Sequence, residues 1–274
     1  MDLLNLLKAA LLGVVQGVTE WLPISSTGHM ILLDELLALN ASAEFKSMFR
    51  VVIQLGSILA VLVLYFDRLN PLSKRKSAGE KSSCLTLWAK ILLAAVPAGI
   101  VGVLLDDWFD AHLYNYITVA VALIVYGAAF IVIERAHRGK APRYARAEDI
   151  TPPAAIGIGC FQVLSLIPGT SRSGSTILGA VLIGTSRTAG AEFSFFLALP
   201  VMCGASLLKL VKFGFAFTLE EAALLAVGTL VAFAVSLAAI RFLISFVQRH
   251  SFEAFGWYRI ALGAAVLLAA FITK

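Results

Sequence analysis

Gln16 and Glu20 stand four residues apart in an apolar run, a spacing that puts both on one face of a helix. A carboxylate there is costly unless a partner, a proton or a cation neutralises it. With an amide oxygen beside it, Glu20 could hold a hard divalent ion, Mg2+ or Ca2+, provided a phosphate completed the coordination. A protonated or hydrogen-bonded structural glutamate is the other reading. After Pro23 the chain continues Ile24-Ser25-Ser26-Thr27-Gly28-His29. One of these hydroxyls is expected to cap a helix. Four polar groups within five residues exceed that need, and a helix start offers free N–H groups to an anion. Ser26 and His29, three residues apart, have the spacing of a hydroxyl nucleophile and an imidazole that takes its proton.

A second apolar run breaks in the same manner, at Pro168-Gly169-Thr170-Ser171-Arg172-Ser173-Gly174-Ser175-Thr176. Arg172 is always charged and forks bidentately onto phosphate oxygens. Ser171, Ser173, Ser175 and Thr176 surround it with donors, while Gly169 and Gly174 permit close backbone approach. Either Arg172 clamps a phosphate or it forms a structural ion pair with Glu20. A carboxylate, a hydroxyl with an imidazole, an arginine and two helix starts together suit phosphoryl transfer, in which positioning and charge neutralisation supply most of the rate.

The elements that must carry these groups are membrane helices. Hydrophobic residues make up 59% of 274 positions and only 14% are charged, against about 25% in soluble domains; the mean hydropathy is +0.89. One integral membrane domain, all α-helical, is expected over 1–274. The start lacks a basic segment and a small-residue cleavage site, so it reads as part of that domain and not as a leader. Cys84, Cys160 and Cys203 have no metal or redox spacing. The net charge of +5 sits largely in two loops, Arg68–Lys81 and Arg135–Arg146, which marks them as cytoplasmic. No aromatic platform accompanies them, so nucleic acid is not an expected partner. The loop Asp106, Asp107, Asp110, His112 has no Lys or Arg and fits the opposite side.

Six spans are expected, near 49–67, 86–105, 115–134, 190–212, 221–246 and 254–272. The interrupted regions, near 3–39 and 154–185, read as re-entrant helix-loop-helix pairs. Fourteen helical residues, as in 154–167, cover only about 21 Å of a roughly 30 Å hydrocarbon core. Moving the sequence by 146 positions lays Gly13 on Gly159, Gln16 on Gln162, Ser25 on Ser171, Thr27 on Ser173 and Gly28 on Gly174. Two repeat halves, about 1–134 and 150–274, follow from this, joined by a basic cytoplasmic loop. With three spans each, the halves must be inverted, the architecture in which broken helices meet near the midplane. The first pair then enters from outside and the second from the cytoplasm, with a shared site between their tips. Gln54, Glu192 and Ser194 read as supporting residues or helix–helix contacts. Arg187, Arg241 and Arg259 read as snorkelling near span ends, and Pro97 and Pro200 as kinks.

At the two breaks the sequence resembles the bacterial undecaprenyl-diphosphate phosphatase family, known also for bacitracin resistance. Leu12–Met30 and Pro168–Thr176 match the family patterns (E/Q)-x-x-x-E and P-G-x-S-R-S-x-x-T, and the similarity continues through Val51–Val61 and Glu192–Pro200. The resemblance implies hydrolysis of undecaprenyl diphosphate to the monophosphate and inorganic phosphate, recycling the carrier lipid of cell-wall synthesis, with a divalent metal. Carried onto this chain, it makes Gln16 and Glu20 the acidic motif, Ser26, Thr27 and His29 the hydroxyl and imidazole groups, and Arg172 with Ser171 and Ser173 the phosphate clamp; Ser25, Thr27 and Thr176 are further candidate phosphate ligands. Many members have glutamate where this chain has Gln16, which weakens a scheme with two carboxylates on the metal. Ser26 is the assigned nucleophile and His29 the base; the competing scheme has His29 attack phosphorus or activate water. The expected partners are a polyprenyl diphosphate lipid and the bilayer of the bacterial inner membrane, with the site opening outward; a homodimer is compatible with the sequence. The rival function is a transporter or flippase of an anionic lipid-linked substrate, because broken helices in inverted repeats also build secondary transporters.

Overall fold

Five of the helices open on a first turn capped by a hydroxyl or amide, which starts those beginning at Ala43, Ala78, Arg187 and Leu219 ahead of their apolar runs. Ser42, Ser77, Asn115, Ser186 and Thr218 accept the N–H groups of Phe45, Glu80, Thr118, Ala189 and Glu221. The computed structural model describes residues 2–33 and 37–272. Its helices are α1 (Leu3–Thr19), α2 (Ser26–Leu33), α3 (Ala43–Val52), α4 (Gln54–Leu64), α5 (Phe66–Leu69), α6 (Ala78–Leu113), α7 (Tyr116–His137), α8 (Pro152–Val163), α9 (Arg172–Ile183), α10 (Arg187–Phe213), α11 (Leu219–Arg249) and α12 (Glu253–Ile272). Six stretches are long and apolar enough to cross a membrane: Ala43–Leu64, formed by α3 and α4 meeting at Ile53, and one each in α6, α7, α10, α11 and α12. The stretch 106–113, expected as a loop, continues α6 as helix. The side chains of Asp106, Asp107 and Asp110, on which the sign of that end rests, lie outside the described residues.

In each interrupted region, residues near its start are hydrogen-bonded to residues near its end. In the first, Asn5 Nδ2 donates to the Asn40 carbonyl at 3.2 Å, Asn40 N donates to Asn5 Oδ1 at 2.9 Å, and Lys8 Nζ donates to the Ala38 carbonyl at 2.9 Å. In the second, Arg143 and Tyr144 donate their N–H groups to the Gly184 carbonyl, and Ser186 N donates to the Tyr144 carbonyl at 2.8 Å. Gly184 closes α9 in the left-handed conformation, φ 100°, which glycine adopts without strain.

Packing pairs α1 with α11, α6 with α8 and α7 with α12. Exchanging the first five long pieces for the last five maps these pairs on one another: α1 on α11 answers to α8 on α6, α2 on α12 answers to α9 on α7, and α7 with α12 is its own counterpart. At that last contact a Cβ built on Gly127 would lie 2.7 Å from the Gly256 carbonyl, and one on Gly256 would lie 2.7 Å from the Gly127 carbonyl. Small residues let membrane helices approach to backbone contact, and dispersion across the contact then holds them. At the end carrying the basic loops, Arg68 bridges Glu148 (2.6 Å) and Glu192 (2.7 Å), and Arg187 grips the buried Glu134 through both carboxylate oxygens. Arg187 therefore has an acidic partner instead of reaching for the interface alone, and Glu192 belongs to this end and not to the candidate site.

Candidate active site

Both breaks end in a serine held against its own preference. Ser25 has φ 74° and Ser171 φ 71°, a region that costs a non-glycine residue of order 1–3 kcal/mol. In each the hydroxyl accepts an N–H three residues on: Gly28 N at 3.2 Å for Ser25, Gly174 N at 3.1 Å for Ser171. The strained turn thus brings the chain round and caps α2 and α9 with one side chain. Ser25, a candidate phosphate ligand, is fully buried and occupied by this cap.

Between the breaks lies a buried ion pair. Arg172 Nη2 donates to Glu20 Oε1 at 2.9 Å, with side-chain exposures of 11% and 8%, which excludes solvent screening. Gln16 Nε2 donates to Glu20 Oε2 at 2.8 Å, so both carboxylate oxygens are engaged. Arg172 Nη1 donates to the Ser194 carbonyl at 2.8 Å, and its guanidinium lies 5.5 Å from the ring of Trp21. Arg172 Nε is buried with no protein partner, leaving one donor unused. Thr176 Oγ1 hydrogen-bonds Ser194 Oγ at 2.6 Å and donates to the Arg172 carbonyl, placing it behind the arginine as a support. Ser173 Oγ lies 3.2 Å from Ser171 Oγ and donates across to the Leu22 carbonyl at 3.3 Å, a direct link between the two breaks.

Ser26 and Thr27 differ from their neighbours: among the described residues neither side chain has a hydrogen-bond partner, and both line a cavity of about 610 Å3. Gln16, Lys46, Arg50, Gln54, Tyr114 and Lys209 complete much of its wall. Lys46, Arg50 and Lys209 have no sequence motif of their own; only the packing of α10 against α3 brings Lys209 to the two α3 cations. His29 is not hydrogen-bonded to Ser26. Its Nδ1 donates to the Ser25 carbonyl at 2.7 Å, and Nε2 lies 2.7 Å from the Tyr258 hydroxyl, the rings stacked at 12°. A neutral His29 with its proton on Nδ1 therefore presents Nε2 as an acceptor.

Arg259, expected to snorkel, is instead fully buried and binds main-chain carbonyls of both breaks. Sequence position alone hid this, because an arginine six residues into a span reads as lying near the interface.

Among the described residues no three of His, Cys, Asp and Glu cluster as a metal site. The donors present, Glu20 and the side-chain oxygen of Gln16, fit a divalent ion only as two ligands of a metal–diphosphate complex, since hard cations take about six oxygens.

The chain matches the family model described as bacitracin resistance protein BacA over residues 9–265. It is 54% identical over 266 residues to an undecaprenyl-diphosphatase of Enterococcus faecalis, covering 96% of each chain. It is 56% identical over 268 residues to one of Limosilactobacillus fermentum, covering 97% of each, and 56% identical over 266 residues to one of Acetivibrio thermocellus, covering 97% of this chain and 98% of the relative.

Proposed function

The chain belongs to the BacA bacitracin resistance family, and from that premise and the geometry between the breaks we propose a multi-pass membrane phosphatase that hydrolyses undecaprenyl diphosphate to undecaprenyl phosphate and inorganic phosphate. What carries this is the convergence of the two breaks: Glu20 and Arg172, 152 positions apart, meet at 2.9 Å, and Gln16, bonded to the same carboxylate, lines the cavity that Ser26 and Thr27 also line. A lipid-linked diphosphate fits it, because the anionic head would meet Lys46, Lys209 and the free hydroxyls while the prenyl chain stays among apolar helices.

In the reading we favour, the Ser26 oxygen attacks the terminal phosphorus as its proton passes to His29 Nε2, which has turned from Tyr258. The bond from that phosphorus to the bridging oxygen breaks, and the lipid monophosphate leaves with the proton that His29 returns. Water then attacks the phosphoserine, giving a proton to the neutral His29; the phosphorus–Ser26 oxygen bond breaks, His29 returns that proton to the serine oxygen, and inorganic phosphate departs. In this reading Arg172, whose Nε has no protein partner, stabilises charge on the transferring group. A divalent ion brought with the diphosphate would be held by Glu20 and Gln16 and would supply charge neutralisation. We read the matched breaks and exchanged packing as inverted halves, the cavity as opening to the outer face of the bacterial inner membrane, and the two interrupted regions as re-entrant.

One observation favours a second scheme, in which His29 acts on water or phosphorus without Ser26 as nucleophile: Ser26 and His29 are not hydrogen-bonded. The test of the function itself is phosphate release from a polyprenyl diphosphate by purified protein in detergent, with and without chelator. Turnover should require a divalent ion and fall by roughly 100-fold or more in Arg172→Ala and Glu20→Ala. A protein that moves the lipid between leaflets and releases no phosphate would sink the hydrolase in favour of the carrier.

A further inference from the structure

Arg259 lies six residues into α12, about 9 Å along the helix from Glu253. Its side chain is fully buried, and no carboxylate pairs with it among the described residues. Instead Nη1 donates to the Pro23 carbonyl at 3.2 Å, and Nη2 donates to the Gly169 carbonyl at 3.0 Å and the Thr170 carbonyl at 2.8 Å. The guanidinium also sits 5.6 Å from the Tyr126 ring of α7. Pro23 belongs to the first break, Gly169 and Thr170 to the second.

Break loops inside a membrane domain expose carbonyls that water cannot serve, and each must find a donor within the protein. One planar, forked cation can serve several at once in fixed directions, which a lysine ammonium on a flexible stem cannot reproduce. The space beside this fork is narrow: a Cβ on Gly174 would lie 3.0 Å from Arg259 Nη1.

We propose that Arg259 is the positioning residue that docks the two breaks on one another, setting Ser26 and His29 of one loop against Arg172 of the other. It touches neither the substrate nor the reacting atoms, and its effect on turnover rests on the phosphatase reading above. A misplacement of about 1 Å between reacting groups lowers a rate roughly 100-fold, so the register of the loops is where this residue acts.

The decisive variant is Arg259→Lys, which keeps the buried positive charge and loses the fork. We expect kcat to fall roughly 100-fold while KM for polyprenyl diphosphate stays within about threefold, because the charge acting on the ground-state complex is retained. Amide hydrogen exchange should rise about tenfold or more in both loops, 20–28 and 167–174, with the six spans as protected as in the parent. A kcat within about threefold of the parent, or exchange unchanged in either loop, overturns the proposal. If Arg259→Lys cannot be recovered folded, Arg259→Gln is read by the same kcat and exchange criteria. Should the unmodified protein release no phosphate, the reading of the reaction falls, while loop exchange still decides the docking role.

Discussion

Ser26 reaches the cavity with its hydroxyl unengaged, whereas both ring nitrogens of His29 are already held, by the Ser25 carbonyl and the Tyr258 hydroxyl. The two are neighbours on one helix face, yet only one of them is ready to act. If the serine oxygen forms the bond to phosphorus, Ser26→Ala should lower phosphate release by at least about a thousandfold. Tyr258→Phe, which only frees Nε2, should change it by less than about tenfold. Near-normal turnover in Ser26→Ala, or a phosphohistidine trapped by acid quench, would move the nucleophile to water or to His29. Residue type and spacing were enough to pick out Glu20, Ser26, His29 and Arg172. They could not assign each its bond: the Glu20–Arg172 pair and the Ser25 cap depend on distances across the fold. Ser194 was legible only as a polar residue in a span, because its tie to Arg172 and Thr176 spans two helices.

Helix α1 holds Gln16 and presents Glu20 at its end, so its seat on α11 sets where the carboxylate lies. That seat is built on glycine: a Cβ on Gly13 would lie 2.6 Å from the Gly228 carbonyl and 3.3 Å from Ala232 N, both unyielding backbone. Gly13→Ala should therefore push α1 outward, destabilising by about 1–3 kcal/mol and lowering turnover more than that loss alone implies. The checks are thermal unfolding in detergent and phosphate release. Gly79→Ala, at an exposed position with nothing within 4 Å of its added carbon, should leave both close to normal. Element order was readable from apolar runs broken at Pro23 and Pro168. Ends were less so, because caps such as Ser77 and Ser186 start helices in polar sequence where hydropathy carries no signal. Lys46 and Lys209 also escaped notice: each is a lone cation near a span end until α3 and α10 pack together.

At the scale of the whole molecule, the helices before and after the exposed link 138–143 meet through α7 and α12, through α1 on α11 and through α8 on α6. Within the link Gly139 turns at φ 77° with open space around it. The Glu20–Arg172 pair and the Arg259 bond to Pro23 both join a residue before this link to one after it, so neither side holds them alone. Covalent continuity at 138–143 is consequently not what assembles the centre. Two separate polypeptides cut at Gly139 and made in the same cell should find each other in the lipid, co-purify and recover phosphate release, while each expressed singly stays silent. Fragments that associate yet remain inactive would mean that the tether itself carries part of the job.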